Sequence, residues 1–186
     1  ALAARSGAAV VVVRTYETEE MDRPSLGLPN EQDVLIRAVA AANPMTVVVL
    51  MNAGPVAVSD WEDAVPALVE AWFAGQEQGN AVARVVFGDV NPSGKLPLTF
   101  PRNERVTPIA TAEQYPGVDG KVHYTEGVNV GYRGYDRLGL TPQYPFGHGL
   151  SYTSFNYADF RVSPPAGGGT EPIQVDFVVA NTGVRA

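Results

Sequence analysis

Residues 9–15 (AVVVVRT) and 46–51 (TVVVLM) decide the fold of this chain. Uninterrupted apolar runs of this length are typical of strands that are covered on both faces in a parallel sheet. Between them, apolar residues recur at helical spacing, which predicts a helix with Asn30 as its N-cap that ends at Asn43-Pro44. A strand, a helix and a second strand in this order predict a crossover unit of an α/β sheet.

The same alternation continues further along the chain. Residues 65–73 (VPALVEAWF) predict a third strand, and residues 76–87 predict a further helix. The predicted fold class is therefore α/β, with a three-layer α/β/α sandwich and a mainly parallel sheet in residues 1–100. Residues 101–150 are rich in Gly, Pro and Tyr and predict an extended linker that wraps the sandwich. Residues 151–186 show a two-residue alternation, which predicts the first strands of an incomplete β-sandwich.

The composition excludes several classes of protein. The 186 residues include 20 acidic and 13 basic side chains, which gives a net charge of −7 and no basic surface for nucleic acid or an anionic membrane. The absence of cysteine excludes disulfides, thiolate metal sites and cysteine nucleophiles, and it indicates no particular compartment, so that a secreted, periplasmic or cytoplasmic location is left open. Only two histidines are present, so a histidine metal site is not expected.

A cluster of acidic residues follows the first predicted strand: Glu17, Glu19, Glu20 and Asp22. The carboxyl ends of parallel strands are where ligands bind in open α/β sheets, so this cluster lies where chemistry is common. The alternative is a solvated charged loop in which Asp22 and Arg23 form a local ion pair. The charge pattern alone favours the solvated loop.

The residues around His148 offer a second candidate site. His148 lies between two glycines in a tyrosine-rich segment, where a ligand could approach closely, although a backbone-bonded structural histidine explains the same pattern. Residues 88–95 (GDVNPSGK) superficially resemble a phosphate-binding loop, but the first glycine and the hydroxyl of that motif are missing. A structural turn is the better interpretation of this segment.

Taken together, several long blocks resemble the C-terminal part of glycoside hydrolase family 3, the β-glucosidase and β-xylosidase family. They stand in family order and cover nearly the whole chain. The blocks are residues 18–29 (TEEMDRPSLGLP), 43–56 (NPMTVVVLMNAGPV), 71–101 (AWFAGQEQGNAVARVVFGDVNPSGKLPLTFP), 130–136 (VGYRGYD) and 144–155 (YPFGHGLSYTSF).

The resemblance implies a retaining β-glycosidase, most simply a β-glucosidase acting on terminal β-D-glucosyl residues, that works with two carboxylates and without a metal or cofactor. The family's aspartate nucleophile comes from an N-terminal (α/β)8 barrel, which would be a partner domain of the same parent chain and is not in this sequence. The acid/base is a glutamate in a loop that often reads Glu-Gly-x-Asp-Arg. Matching that pattern to residues 19–23 places the acid/base at Glu19, with Glu17 and Glu20 as alternatives.

The resemblance implies two further points. Residues 151–186 are similar to the start of a fibronectin-III-like domain, and linker loops border the active site in some members, which makes Tyr124, Arg133 and His148 candidate substrate neighbours. The main departure from the family is Glu20, which stands where the glycine is expected. That departure keeps open an alternative function, a non-catalytic carbohydrate-binding or scaffold module derived from the same fold.

Overall fold

The computed structural model describes residues 2–164 and 172–185. Two compact units are present: Ala1–Ala83 with Lys95–His148, and Arg84–Gly94 with Gly149–Ala186. Short 3-10 turns lie at Ala3–Arg5 and Glu62–Ala64. The helices and strands are β1 (Ala9–Arg14), α1 (Gln32–Ala42), β2 (Thr46–Met51), β3 (Ala67–Glu70), α2 (Gln78–Val86), α3 (Tyr132–Leu138), β4 (Phe155–Ser163) and β5 (Gln174–Asn181).

The larger unit contains a parallel three-stranded sheet in the order β1-β2-β3. Val48 at the middle of β2 pairs with Val11 on one side and with Leu68 on the other. Helix α1 connects β1 to β2 and contacts both strands. The predicted α/β fold class with a parallel sheet is confirmed, and it places the carboxyl ends of all three strands at one edge.

The two valine-rich strands differ in how they are covered, which corrects the prediction that both faces of both strands are buried. In β2, Val48, Val49 and Leu50 are each at most 1% exposed. In β1, alternate residues face outward, and Val10 and Val12 are 51% and 55% exposed. Val12 and its partner Val49 lie on the same face of the sheet, so this face is covered over the central strand β2 and uncovered over the edge strand β1.

The ends of the predicted elements also shift. Asn30 does not cap α1: Asn30 and Glu31 both have positive φ, and the helix begins at Gln32 with no side-chain cap. Strand β3 is shorter than predicted, and two residues beyond it Trp72 has a φ of 52°. A left-handed backbone is incompatible with a continuing strand.

The core of the larger unit forms between the sheet, α1 and the segment after β2. Trp61 and Val56 and Val58 from that segment are at most 2% exposed, and they pack with Ile36 of α1. The other buried members of this cluster come from β1 and β2, and they are Val11, Val13, Val48 and Leu50. The segment after β2 is therefore part of the core.

The side chain of buried Asn43 hydrogen-bonds both to the chain before β1 and to the chain before β2. Its Nδ2 donates to the carbonyl oxygens of Ala3 and Ser6 at 3.0 and 2.9 Å, and its Oδ1 accepts from the Met45 amide at 2.8 Å. Replacing Asn43 by alanine removes all three bonds. We expect the free energy of unfolding of the full-length protein to fall by about 2 to 3 kcal/mol, at about 1 kcal/mol for each bond, measured by chemical denaturation.

Asn103→Ala is the matched control for Asn43. Asn103 also accepts a backbone amide, that of Arg105 at 2.9 Å, but its side chain is exposed. Solvent can replace that bond, so the control should change stability by less than about 0.5 kcal/mol. Equal losses for the two variants would contradict the role given to burial at Asn43.

Residues 95–148 belong to the larger unit and carry little regular structure. An isolated antiparallel bridge joins Phe100 to Tyr144, and Phe100 is 2% exposed. Helix α3, which the sequence did not predict, begins after Gly131 and ends at Gly139, whose φ of 62° suits glycine at a helix C-terminus.

The smaller unit contains the antiparallel pair β4 and β5. The two-residue alternation therefore predicts these strands correctly, with an irregularity between Ala158 and Arg161 where Asp159 has a φ of 55°. All residues of both strands are exposed in this chain. The domain boundaries and the fibronectin-III-like identity of residues 151–186 remain predictions.

Candidate active site

A tight turn follows β1 at the carboxyl edge of the sheet. Thr18 and Met21 form an isolated antiparallel bridge, and Glu19 and Glu20 lie at the tip between them. The Thr18 hydroxyl donates to the backbone oxygen of Glu19 at 3.0 Å. The predicted acidic cluster is therefore a small hairpin that projects its two central glutamates.

Glu20 has a φ of 68°, in the left-handed region. The third residue of a four-residue turn takes such a φ in the type II geometry, where glycine is preferred because a Cβ is unfavourable there. Glu20 thus adopts the backbone that glycine would adopt in its place.

The three glutamates of the cluster have different surroundings. Glu17 is the inward one: its Oε1 lies 3.2 Å from Arg23 Nε, and its Oε2 accepts from the Ala53 amide at 2.7 Å. Glu19 and Glu20 are exposed. Within residues 2–164 and 172–185, no side chain forms a hydrogen bond or ion pair with the Glu19 carboxylate.

The ion pair at Glu17 corrects the local pairing that the charge pattern suggested. Arg23 pairs with Glu17 and also donates from Nη2 to the Pro55 oxygen at 2.6 Å. Asp22 instead accepts from the hydroxyl of Tyr115, and this hydrogen bond raises the pKa of Tyr115. Tyr115 lies 93 residues away in sequence, so no local pattern could have predicted the contact.

Glu70 is a further carboxylate at the carboxyl edge of the sheet, and the sequence analysis gave it no role. Its Oε1 accepts from the Trp72 amide at 2.9 Å, and its Oε2 accepts from Asn52 Nδ2 at 3.2 Å. Burial raises the pKa of Glu70 from 4.5 to about 7, and the charge of Glu17 adds to the increase, whereas the two hydrogen bonds oppose it. A single acidic residue within the apolar run of residues 65–73 was the available signal.

The three candidate substrate neighbours lie in other surroundings. Tyr124 is 78% exposed, and the Arg133 guanidinium lies 5.7 Å from the centre of the Tyr132 ring. His148 stacks on Tyr144 with ring centres 4.9 Å apart, and its backbone oxygen accepts from the Leu96 amide at 2.8 Å. In the described part of the chain, none of the three hydrogen-bonds to Glu19.

The charged side chains of the described residues form no cluster of metal ligands. Among the residues that the structure covers, no group of three or more His, Asp or Glu side chains is placed to hold a metal ion. No helix in these same residues has the length and apolar content needed to cross a bilayer.

Comparison with protein families and with known proteins gives concordant results. The family model described as the Glycosyl hydrolase family 3 C-terminal domain matches residues 1–152. The chain is 45% identical over 171 residues to thermostable beta-glucosidase B of Acetivibrio thermocellus, which covers 92% of this chain and 22% of the relative. It is 43% identical over 175 residues to a beta-glucosidase of Rhizobium radiobacter, covering 92% and 21% of the two chains.

Solved structures give the same result. DesR, a beta-glucosidase from Streptomyces venezuelae crystallised in complex with D-glucose, superposes with a TM-score of 0.93 at 43% identity, covering 98% of this chain and 23% of that one. Beta-glucosidase 3B from Thermotoga neapolitana in complex with glucose gives a TM-score of 0.87 at 37% identity, covering 99% and 26%. The chain therefore spans about a quarter or less of the length of these relatives.

Proposed function

The chain belongs to glycoside hydrolase family 3, as the C-terminal domain of that family, and from this premise we propose that it is the acid/base-bearing part of a retaining β-glucosidase. The proposed substrates are β-glucosides or oligosaccharides with terminal β-D-glucosyl residues. The names of the relatives support this choice, since those compared above are beta-glucosidases. The proposed partner is an N-terminal (α/β)8 barrel of the same parent chain.

Glu19 is the proposed general acid/base, and the observation that carries the proposal is the position of its carboxylate at the exposed tip of the turn. An acid/base must protonate the glycosidic oxygen and then deprotonate water, so its carboxylate must be free to gain and lose a proton. Glu17 fits this task poorly because Arg23 and the Ala53 amide already occupy its two carboxylate oxygens. Glu20 stays the alternative at the tip.

The proposed reaction divides two carboxylates between two domains. An aspartate of the barrel attacks the anomeric carbon while the Glu19 carboxylic acid gives its proton to the leaving oxygen, which forms a covalent glycosyl-enzyme. The Glu19 carboxylate then takes a proton from the water that releases the sugar. The two carboxyl groups of a retaining enzyme stand about 5–5.5 Å apart, which requires the barrel to bring its aspartate close to the turn.

The stereochemistry of hydrolysis tests the proposed function. We expect the full-length protein to hydrolyse 4-nitrophenyl β-D-glucoside and to release β-D-glucose first, because two successive inversions retain the configuration. Proton NMR of the anomeric signals in the first minutes measures this. First release of the α anomer, or no turnover of β-glucosides and β-xylosides by folded full-length protein, would overturn the proposal.

Glu20 in place of glycine favours a second candidate function, a carbohydrate-binding or scaffold module that does no chemistry. The two candidates differ in what the full-length protein does with cellobiose. A binding module would give heat of binding in a calorimetric titration without glucose appearing, whereas the glycosidase produces glucose. The left-handed backbone at Glu20, a conformation in which glycine is preferred, supports the glycosidase.

A further inference from the structure

The segment that carries Glu19 is closed at both ends by side chains. The ion pair between Glu17 and Arg23 joins the two ends across 3.2 Å, and the Thr18 to Met21 bridge lies inside it. Both charged side chains are largely buried, with 18% of Glu17 and 16% of Arg23 exposed. The ion pair and the bridge therefore hold the two ends of the turn together and leave its tip exposed.

The two ends of the turn are also hydrogen-bonded to the chain that leaves the sheet after β2. The Ala53 amide donates to Glu17 Oε2 at 2.7 Å, and Arg23 Nη2 donates to the Pro55 oxygen at 2.6 Å. Both partners belong to the short segment directly after β2, whose strand is the buried centre of the sheet. Each end of the turn thus has its own hydrogen bond to the segment that follows the buried central strand.

Stability alone does not account for this arrangement. Two charges taken out of water recover their desolvation cost only when their geometry is good and their remaining atoms are hydrogen-bonded. Here Arg23 Nη1 is buried with no hydrogen-bond partner in the described residues. An ion pair whose polar atoms are not all hydrogen-bonded contributes little net stability. The arrangement therefore points to a role in positioning the turn.

We propose that Glu17 and Arg23 are a positioning pair that holds the Glu19 turn in register with the sheet so that the Glu19 carboxylate reaches the glycosidic oxygen. This inference rests on the proposed role of Glu19. Neither residue touches the reacting atoms, and both act through Glu19. A displacement of about 1 Å at a proton donor can cost on the order of 100-fold in rate, so the pair has a measurable kinetic role.

The test is the effect of Glu17→Gln in the full-length protein on two substrates. Methyl β-D-glucoside needs a proton on its leaving oxygen, whereas 2,4-dinitrophenyl β-D-glucoside does not. We expect kcat/KM for the methyl glucoside to fall on the order of 10-fold and kcat/KM for the dinitrophenyl glucoside to fall less than about twofold. Arg23→Lys keeps the positive charge but cannot donate to both Glu17 and the Pro55 oxygen as the guanidinium does. It should therefore show the same difference between the two substrates to a smaller degree.

A double variant separates positioning from general support of the fold. If Glu17 acts through Glu19, adding Glu17→Gln to Glu19→Gln should cause no further loss on methyl β-D-glucoside. Arg37→Gln is the control, because Arg37 forms an exposed helical ion pair with Asp33 at 3.3 Å and is not one of the turn's bonding partners named above, so kcat/KM should change for neither substrate. Where Glu17→Gln does not fold, Arg23→Lys carries the same comparison.

The outcomes distinguish this inference from the proposed function. Equal losses on both substrates for Glu17→Gln and Arg23→Lys, or a full further loss in the double variant, would overturn the positioning role while Glu19→Gln still shows its own split between the substrates. If Glu19→Gln shows no such split, the proposed acid/base role of Glu19 fails first, and the inference built on it fails with it.

Discussion

Replacing Glu19 by glutamine in the full-length protein is expected to lower kcat/KM for cellobiose by about 100-fold to 10,000-fold, the usual contribution of a positioned general acid. The reason is that glutamine fits the exposed tip of the turn but cannot supply a proton to the leaving oxygen. For 2,4-dinitrophenyl β-D-glucoside the leaving group departs without a proton, so kcat/KM should fall less than about fivefold. Steady-state kinetics on the two substrates measures the difference.

Azide provides the second measurement on the same variant. Without the base, the glycosyl-enzyme accumulates, and azide needs no base to attack it, so azide should raise kcat of Glu19→Gln on the dinitrophenyl substrate and yield β-D-glucosyl azide. Glu20→Gln is the matched control, since it neutralises the neighbouring carboxylate at the same tip. If Glu20→Gln shows the loss and azide rescue and Glu19→Gln does not, the acid/base is Glu20.

The second large effect concerns stability as a function of pH, through Glu70. The pKa of Glu70 is about 7 in the folded chain, whereas the ordinary value for a glutamate is 4.5. The folded state therefore holds the carboxyl proton of Glu70 more tightly than the unfolded state does. The stability that the protonated group contributes is fully present below pH 4.5 and is lost as the pH rises to about 7. We expect Glu70→Gln, which cannot ionise, to be more stable than the wild type above pH 7 by about 2 kcal/mol.

Chemical unfolding of wild type and Glu70→Gln at several values between pH 4.5 and 8 measures this difference. The free-energy difference should be small at the acid end and should grow in favour of the variant as the pH rises. Glu113→Gln, at an exposed position, is the control for the loss of one negative charge. A difference that is constant with pH, or that favours the wild type at pH 8, would contradict the burial of an ionisable carboxylate at this site.

Local patterns in the sequence predicted the elements whose determinants are local. The bounds of β2 agree with the valine-rich run, and β1 agrees to within one residue because β-branched residues favour strands wherever they lie in a sheet. The exposure of Val10 and Val12 could not be predicted, since an edge strand and a central strand can have the same composition. The start of α1 was wrong because the chain takes two left-handed residues before the helix.

In the candidate site, too, the sequence predicted the features that are set locally and missed those that are set by tertiary contacts. The acidic cluster is contiguous in sequence, so its location after β1 followed from the pattern, and the family motif selected Glu19 within it. The contacts of Glu17 and Arg23 depend on the chain after β2, 30 or so residues away. That segment supplies the Ala53 amide to Glu17 and the Pro55 oxygen to Arg23. Periodicity and charge spacing carry no information on such contacts. Glu70 was missed because its raised pKa comes from burial, a tertiary property.

The outward face of β1 has a consequence for handling the protein. A strand at the edge of a sheet, with two half-exposed valines, is a surface on which a second molecule can pack and extend the sheet. Such a surface favours intermolecular association and precipitation at high concentration, particularly during refolding.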